Sequence, residues 1–324
     1  MDLPLNDAPY YDQFHTGMVI PYLPSVTVTE ADNVAYRMLT GDQHLLSADR
    51  GLAAAAAGFD AGMVHPALVM NYSIGQTTNA TRRAVANLYY RSVRILRAVE
   101  VGETLSTTTT VLGLQDAKPR GDNHRGKVWL GIETVGDNGP VARYERCALV
   151  NSRGPVPGHA DEIPGPSDPA PLDDLADLAP SWDLRGLPGT EWELGFEVAD
   201  AMRDHIDMAP SLARMTFNQA FVHRDPHASI YGRRLVYGGH VQGLAQASLT
   251  RMLPGLATVV AWDGCDHVGP AFEGDVMGFR HRLVEERPID GARLLRFEVR
   301  GAVAGDDGEL GDDILVWTPI VVAP

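Results

Sequence analysis

The stretch Gly239–Leu253 reads GHVQGLAQASLTRML. Val241, Leu244, Ala245, Leu249, Met252 and Leu253 fall on one broad side at helical spacing, and Pro254-Gly255 stops the run. A second such stretch lies earlier. Pro66–Ala80 reads PALVMNYSIGQTTNA, with Pro66 in the first turn, where a missing N–H does no harm. Pro66 and Gly238, which open the two helices, are 172 positions apart. Val101-Gly102-Glu103 and Glu273-Gly274-Asp275, which precede the next elements, are offset by the same 172. One shared offset over this distance predicts a degenerate tandem repeat.

Strand-like text follows each helix. Ser106–Leu114, Lys127–Val135 and Val141–Val150 close the first half, and Met277–Glu286, Arg293–Val303 and Asp313–Val322 close the second. Each half is therefore expected to wrap an antiparallel sheet around one long helix. Between them, residues 151–180 carry prolines at 155, 157, 164, 166, 169, 171 and 180, in a pattern that fits neither helix nor strand. The expected organisation is an N-terminal unit over 1–150, a Pro/Asp-rich linker over 151–192 and a C-terminal unit over 193–324.

Composition narrows the function classes. A formal net charge of −15 disfavours nucleic acid and anionic lipid as partners. An anionic ligand would need a local basic patch, and the candidates are Arg82, Arg83, Arg91, Arg94 and Arg97, or Arg233 and Arg234. The two cysteines, Cys147 and Cys265, belong to no CxxC pair, so buried reduced thiols are expected and a zinc site is not. Met1–Met18 has acidic residues, Pro4 and no basic start or apolar run, and no apolar stretch is long enough to span a bilayer. A cytoplasmic protein is the expectation.

Two segments carry a family resemblance. The first half reads Thr40-Gly41-Asp42-Gln43-His44-Leu45-Leu46-Ser47-Ala48-Asp49 and then Val64-His65-Pro66. The second reads Asn218-Gln219-Ala220-Phe221-Val222-His223-Arg224-Asp225 and then Val236-Tyr237-Gly238-Gly239-His240. These resemble the signature of MaoC-like, (R)-specific enoyl-CoA hydratases. Residues 84–90 (AVANLYY) and 26–33 (VTVTEADN) are similar to the β-methylmalyl-CoA dehydratase branch, also called mesaconyl-CoA hydratase. Residues 232–240 and 265–267 resemble an uncharacterised mycobacterial double-hotdog protein. The resemblance implies an α+β double hotdog, with two antiparallel sheets joined edge to edge, each wrapped around a long central helix. It also implies hydration or dehydration of a 2-enoyl/3-hydroxyacyl-CoA thioester. Coenzyme A enters as part of the substrate, and no separate cofactor or metal is expected.

The family's chemistry needs an acid/base pair that holds a water against C3 and delivers a proton to C2. It also needs a backbone N–H for the enolate oxygen. The first half keeps Asp42 but has Ser47 at the histidine position and Pro66 at the oxyanion position; proline has no N–H. That half is expected to be non-catalytic, and His44 beside it to be a satisfied polar residue. The second half keeps His223 as general base/acid and Gly238 as oxyanion donor. Asn218 stands where the hydratases place Asp; an amide positions a water but exchanges no proton. Gly239, Tyr237, Arg233, Arg234 and Asp225 complete the candidate substrate contacts. Several roles stay open at this point. Asp225 either holds His223 or caps a helix, Gly238 and Gly239 either admit a ligand or permit tight packing, and Arg233 and Arg234 either meet phosphates or form a solvated turn. His240 flanks the glycine pair. Asp263, Asp266 and His267 form a polar cluster without metal-ligand spacing. A thioesterase on the same site, or a non-catalytic acyl-CoA-binding protein, remains the alternative. The oligomer is either a monomeric pseudo-dimer or a homodimer.

Overall fold

The computed structural model describes residues 9–20, 24–119, 121, 123–189 and 191–324. Of the stretch read for a leader, residues 1–8 lie outside them. Both expected helices form, as Pro66–Thr81 and Gly238–Met252. Every residue of the first is buried, including Asn71, Ser73, Gln76, Thr77 and Thr78. A helix wrapped on all sides needs its polar side chains satisfied from within. Ser73 accepts from Thr134 at 2.6 Å and shares a hydrogen bond with Tyr144 at 2.9 Å. Thr77 donates to the Ile74 carbonyl at 2.7 Å.

Four long strands follow each helix: β1 (Ala84–Ile95), β2 (Thr104–Asp116), β3 (Arg125–Gly136) and β4 (Gly139–Asn151), then β5 (Thr258–His267), β6 (Val276–Ile289), β7 (Ala292–Ala304) and β8 (Leu310–Ala323). The six predicted strands lie inside β2–β4 and β6–β8. β1 and β5 escape prediction. In β5 the first six residues are all buried, so period-2 alternation is absent. The sheet order is β2-β3-β4-β1-β5-β8-β7-β6, a palindrome about the β1–β5 pair. There Val93 stands opposite Trp262 and Arg94 opposite Ala261, both antiparallel. Two half-sheets thus join edge to edge, and neither presents a bare edge at the junction. Trp262 and Trp317 pack edge to face at 5.9 Å beside this seam, inside a core that draws on both halves.

The outer face of the seam is covered. The 151–192 segment is no free tether: it has 3₁₀ turns at Leu172–Leu178 and Leu184–Gly186, and buries Leu172, Leu175, Leu184 and Leu187. These leucines share a second apolar cluster with Leu46, Ala53, Val260 and Ile320. Burial on both faces is why β5 reads as one apolar run.

On the inner face the central helices cross. Asn71 donates to the Gly239 carbonyl at 3.3 Å, and a Cβ on Gly239 would sit 2.1 Å from Asn71 Oδ1. No helix among the described residues is long and apolar enough to cross a membrane.

Candidate active site

The site begins in a short loop ahead of the second central helix. Helix Ala209–Met215 ends at Thr216, whose hydroxyl donates to the Leu212 carbonyl at 2.8 Å. Phe217 then takes φ = +58°, a left-handed turn that costs a non-glycine residue ~1–2 kcal/mol. The turn lays the Thr216 carbonyl on the first central helix, 1.7 Å from where a Cβ on Gly75 would stand, so only glycine fits there. It also buries Asn218, which is 1% exposed. Asn218 Oδ1 accepts from the Ala220 amide at 3.0 Å, and the other end of its side chain reaches the Tyr237 hydroxyl.

His223 ends the 3₁₀ turn Phe221–His223. Its ring is tied to the segment that enters the second central helix: Nδ1–H donates to the Leu235 carbonyl at 2.9 Å, and the Leu235 amide donates to the Val222 carbonyl at 3.0 Å. A carbonyl accepts only, so Nδ1 carries the hydrogen and Nε2 is left with a free lone pair. The ring packs against Tyr237 at 5.6 Å between centroids. Burial pushes the His223 pKa down to about 4; the Leu235 carbonyl opposes this, and Arg146 and Arg224 reinforce it.

Gly238 opens the helix three residues after Leu235. Among the described residues neither its amide nor that of Gly239 has a backbone acceptor, as expected of a first turn. Oriented N–H groups and the positive helix end favour a developing anion at this point. Gly238 also makes room for His267: a Cβ there would stand 2.6 Å from His267 Nε2. Burial, with His223 nearby, holds His267 down at about 4.

Asn218, His223, Tyr237, Gly238 and His267 line one cavity of about 560 Å³ between the two halves. The first half contributes Ile74, Thr78, Arg82, Arg83, Tyr90 and Arg146 to its wall. A second cleft of about 330 Å³ lies under the 151–192 strap, and its charged members include Arg97 and Glu103, paired at 2.7 Å.

Other expected contacts fall elsewhere. Asp225 caps the turn Pro226–Ala228 by accepting from the His227 amide at 2.9 Å, and does not support His223. Arg233 stacks on Phe272 at 3.4 Å, and Arg234 pairs with Glu273 at 3.5 Å. Neither lines the cavity, whose arginines are Arg82, Arg83 and Arg146. Gly239 faces Asn71 and Tyr237 at the helix crossing, where a Cβ would meet both. His240 is buried off the cavity.

The sequence reading missed Arg146, Tyr90 and the position of His267 against Gly238. A signal for Arg146 was present: in β4, Ala142, Tyr144, Arg146, Ala148 and Val150 alternate inward, so a charged residue stands on the buried face.

In the first half, Asp42, Ser47 and His65 are buried with His44. His44 Nε2–H donates to the Ala257 carbonyl at 3.0 Å, and Nδ1 lies 2.7 Å from the Ser47 hydroxyl, so both ring nitrogens are occupied. Asp42 takes the His44 amide and the Thr250 hydroxyl, each at 3.0 Å, and lies 3.3 Å from His65 Nδ1. Burial alone would raise its pKa; His65 and the His44 amide hold it at about 2. Pro66 stands at the opening of the helix, as the sequence predicts. Among the described residues no three His, Cys, Asp or Glu side chains gather as metal ligands, and both cysteines are buried and free.

A paired-helix cavity under a joined sheet is the architecture of a double-hotdog protein. The chain belongs to the MaoC-like double-hotdog family. The MaoC like domain model matches residues 13–129. A Mycobacterium tuberculosis protein, described as a conserved hypothetical protein with a double hotdog fold that is essential for bacterial survival during infection, superposes with a TM-score of 0.87. It is 34% identical, and 98% of each chain is covered. The beta-methylmalyl-CoA dehydratase of Chloroflexus aurantiacus is 28% identical over 90% of this chain and 86% of its own length. The mesaconyl-CoA hydratase of Cereibacter sphaeroides is 29% identical over 84% of this chain and 82% of its own length.

Proposed function

We propose that the protein is a lyase that adds water to, or removes it from, a 2-enoyl/3-hydroxyacyl-CoA thioester in the second half's cavity. The observation that carries this reading is that His223 and the Gly238 amide line one cavity. The two relatives named as a CoA dehydratase and a CoA hydratase support it over most of the chain.

In the hydration direction, His223 Nε2 takes a proton from a water held beside Asn218. The water oxygen bonds to C3 while the C2=C3 electron pair moves toward the thioester carbonyl. The enolate oxygen rests on the Gly238 N–H, and the proton returns to C2 from an imidazolium. Asn218 donates to the water and fixes its approach; it holds no proton to give. His267, packed against Gly238, is the second imidazole on this wall. The phosphates of coenzyme A meet Arg82 and Arg83 at the cavity wall, while its thioester lies at Gly238.

The test is purified protein with a panel of 2-enoyl-CoA thioesters, followed by loss of enoyl absorbance, with a thiol-reactive dye in parallel. The expected result is absorbance loss without free thiol, and a fall of about 10²–10⁴-fold in rate for His223→Gln, the usual worth of a general base. Thiol release would make the protein a thioesterase. Binding without turnover would make it a carrier of acyl-CoA.

A further inference from the structure

His267 is the last residue of β5 and stands on the wall of the His223 cavity. A Cβ on Gly238 would lie 2.6 Å from its Nε2 and 3.0 Å from each of the two carbons that flank that nitrogen. The tip of the ring, and not its face, therefore points at the residue whose N–H is assigned to the enolate oxygen. Nε2 has little else to hold it. Among the described residues its hydrogen-bond partner is the Cys265 sulfur at 3.9 Å, a long contact to a weak acceptor that burial keeps as a thiol. The motif histidines of the two halves are tied more firmly: His44 Nε2 and His223 Nδ1 lie 3.0 and 2.9 Å from backbone carbonyls.

The repeat supplies a second observation. β1 ends at Ile95 and β5 at His267, and the central helices begin at Pro66 and Gly238. Each pair is 172 positions apart, so strand end and helix start keep one register in the two halves. Where the helix opens on proline and has no N–H to give, the strand ends on an apolar side chain buried in the core. Where it opens on glycine, the strand ends on an imidazole. Packing alone would be served by the aliphatic side chain that the first half uses.

We infer that His267 is a second donor to the thioester oxygen: its Nε2–H meets the oxygen that the Gly238 N–H holds, so the growing enolate is stabilised from the strand as well as from the helix. The inference rests on the proposed thioester chemistry and adds a catalytic residue to it. The hydrogen stays on the His267 ring throughout; the proton delivered to C2 is the one that His223 took from water. A neutral imidazole suits this work. Burial, with His223 nearby, keeps the ring uncharged. A neutral imidazole beside a helix N-terminus polarises a carbonyl without surrendering its proton.

The experiment compares the wild type with His267→Gln and His267→Leu. A glutamine amide keeps an N–H at about the reach of Nε2 yet exchanges no proton, and leucine has no donor. With the fastest thioester of the enoyl panel, His267→Leu is expected to lose about 10²–10³-fold in kcat with KM little changed, as for a donor used only in the transition state. His267→Gln is expected to recover at least about 10-fold of that loss. Butyryl-CoA labelled with ¹³C at its carbonyl has no double bond to hydrate, and isotope-edited infrared on it reads donation to the oxygen directly. Its carbonyl stretch is expected to fall in frequency on binding the wild type. That shift is expected to shrink in His267→Leu and to return in His267→Gln. An unshifted carbonyl in the wild type, which needs no variant, overturns the inference. A shift as large in His267→Leu as in the wild type overturns it and leaves the hydratase reading standing. So does a folded His267→Leu variant whose loss falls on KM alone. If both variants are equally slow with the shift intact, the ring carries a proton and the donor role is overturned. A shift present in the wild type and lost in His267→Leu, with no enoyl thioester turned over, would uphold the donor and remove the hydratase reading.

Discussion

The Leu235 carbonyl fixes the state of His223. By accepting from Nδ1–H at 2.9 Å it leaves Nε2 as the basic nitrogen. Burial holds that imidazole neutral down to about pH 4. A general base works above its own pKa, so the sign is clear: kcat/KM for hydration is expected to stay level from pH 8 to about pH 5. An ordinary histidine would start to lose activity near pH 6.5. A pH–rate profile that breaks at the ordinary value would show that the base is a solvated group and not His223. The roles of residues were only partly legible in the sequence. His223, Asn218 and Gly238 stand in a motif, so that they meet at one cavity could be read from position. Arg146 belongs to no motif; it is marked only by standing on the buried face of β4. Arg233 and Arg234 look like the same chemistry on paper, yet they stand outside the cavity's wall, beside Phe272 and Glu273.

At the scale of elements, the site is the meeting of a helix start with a strained loop. Both touch the other half through glycine. Gly238→Pro and Gly238→Ala make a matched pair. Each adds a Cβ close to His267, and only proline removes the N–H. Proline is acceptable at a first helical position, as Pro66 demonstrates in the other half. The proline variant is expected to be slower than the alanine variant by about 10²–10³-fold in kcat, the usual worth of one oxyanion donor. Equal rates would show that the Gly238 amide does not meet the oxyanion. Gly75→Ala addresses the loop. A methyl group 1.7 Å from the Thr216 carbonyl forces the 216–218 turn away. The expected cost is about 1–3 kcal/mol in denaturant unfolding, together with loss of activity because Asn218 moves. An unchanged unfolding midpoint would mean that the loop is free to shift. The two helices and six strands were visible as periodic text. β5 was not, because the strap and helix layers bury it on both faces and erase the alternation; β1 was not, because its register against β4 shifts three times and Ser92 takes a positive φ, so no even alternation runs along it.

The whole molecule is a repeat whose halves have diverged in opposite directions. The second opens its helix start onto the shared cavity and keeps a free imidazole nitrogen there, on His223. The first has closed around Asp42, His44 and His65 and satisfied the His44 ring completely. The sealed copy braces the seam, since His44 bonds Ala257 at the start of the second half's sheet and Asp42 bonds Thr250 of the second central helix. Burying histidine in both halves has a cost in acid. His44, His240 and His281 are almost wholly buried, and burial holds each near 4 against an ordinary 6.5. Unfolded histidine therefore binds protons that the folded protein refuses. Stability is full above about pH 6.5 and falls as the pH drops from there toward 4. The melting temperature is expected to decline steadily between pH 7 and pH 5, before most carboxylates titrate. A flat melting temperature over that range would show that these rings accept protons in the folded state.

The central claim is that one imidazole in the second half moves the proton between water and the acyl chain. Its most direct measurement is solvent deuterium entering C2 of a bound 3-hydroxyacyl-CoA, followed by NMR in D₂O for the wild type and for His223→Gln of equal thermal stability. The account expects the label to enter in the wild type alongside enoyl formation, and to be lost by at least about 10²-fold in the variant. Exchange that survives the substitution at full rate would contradict it.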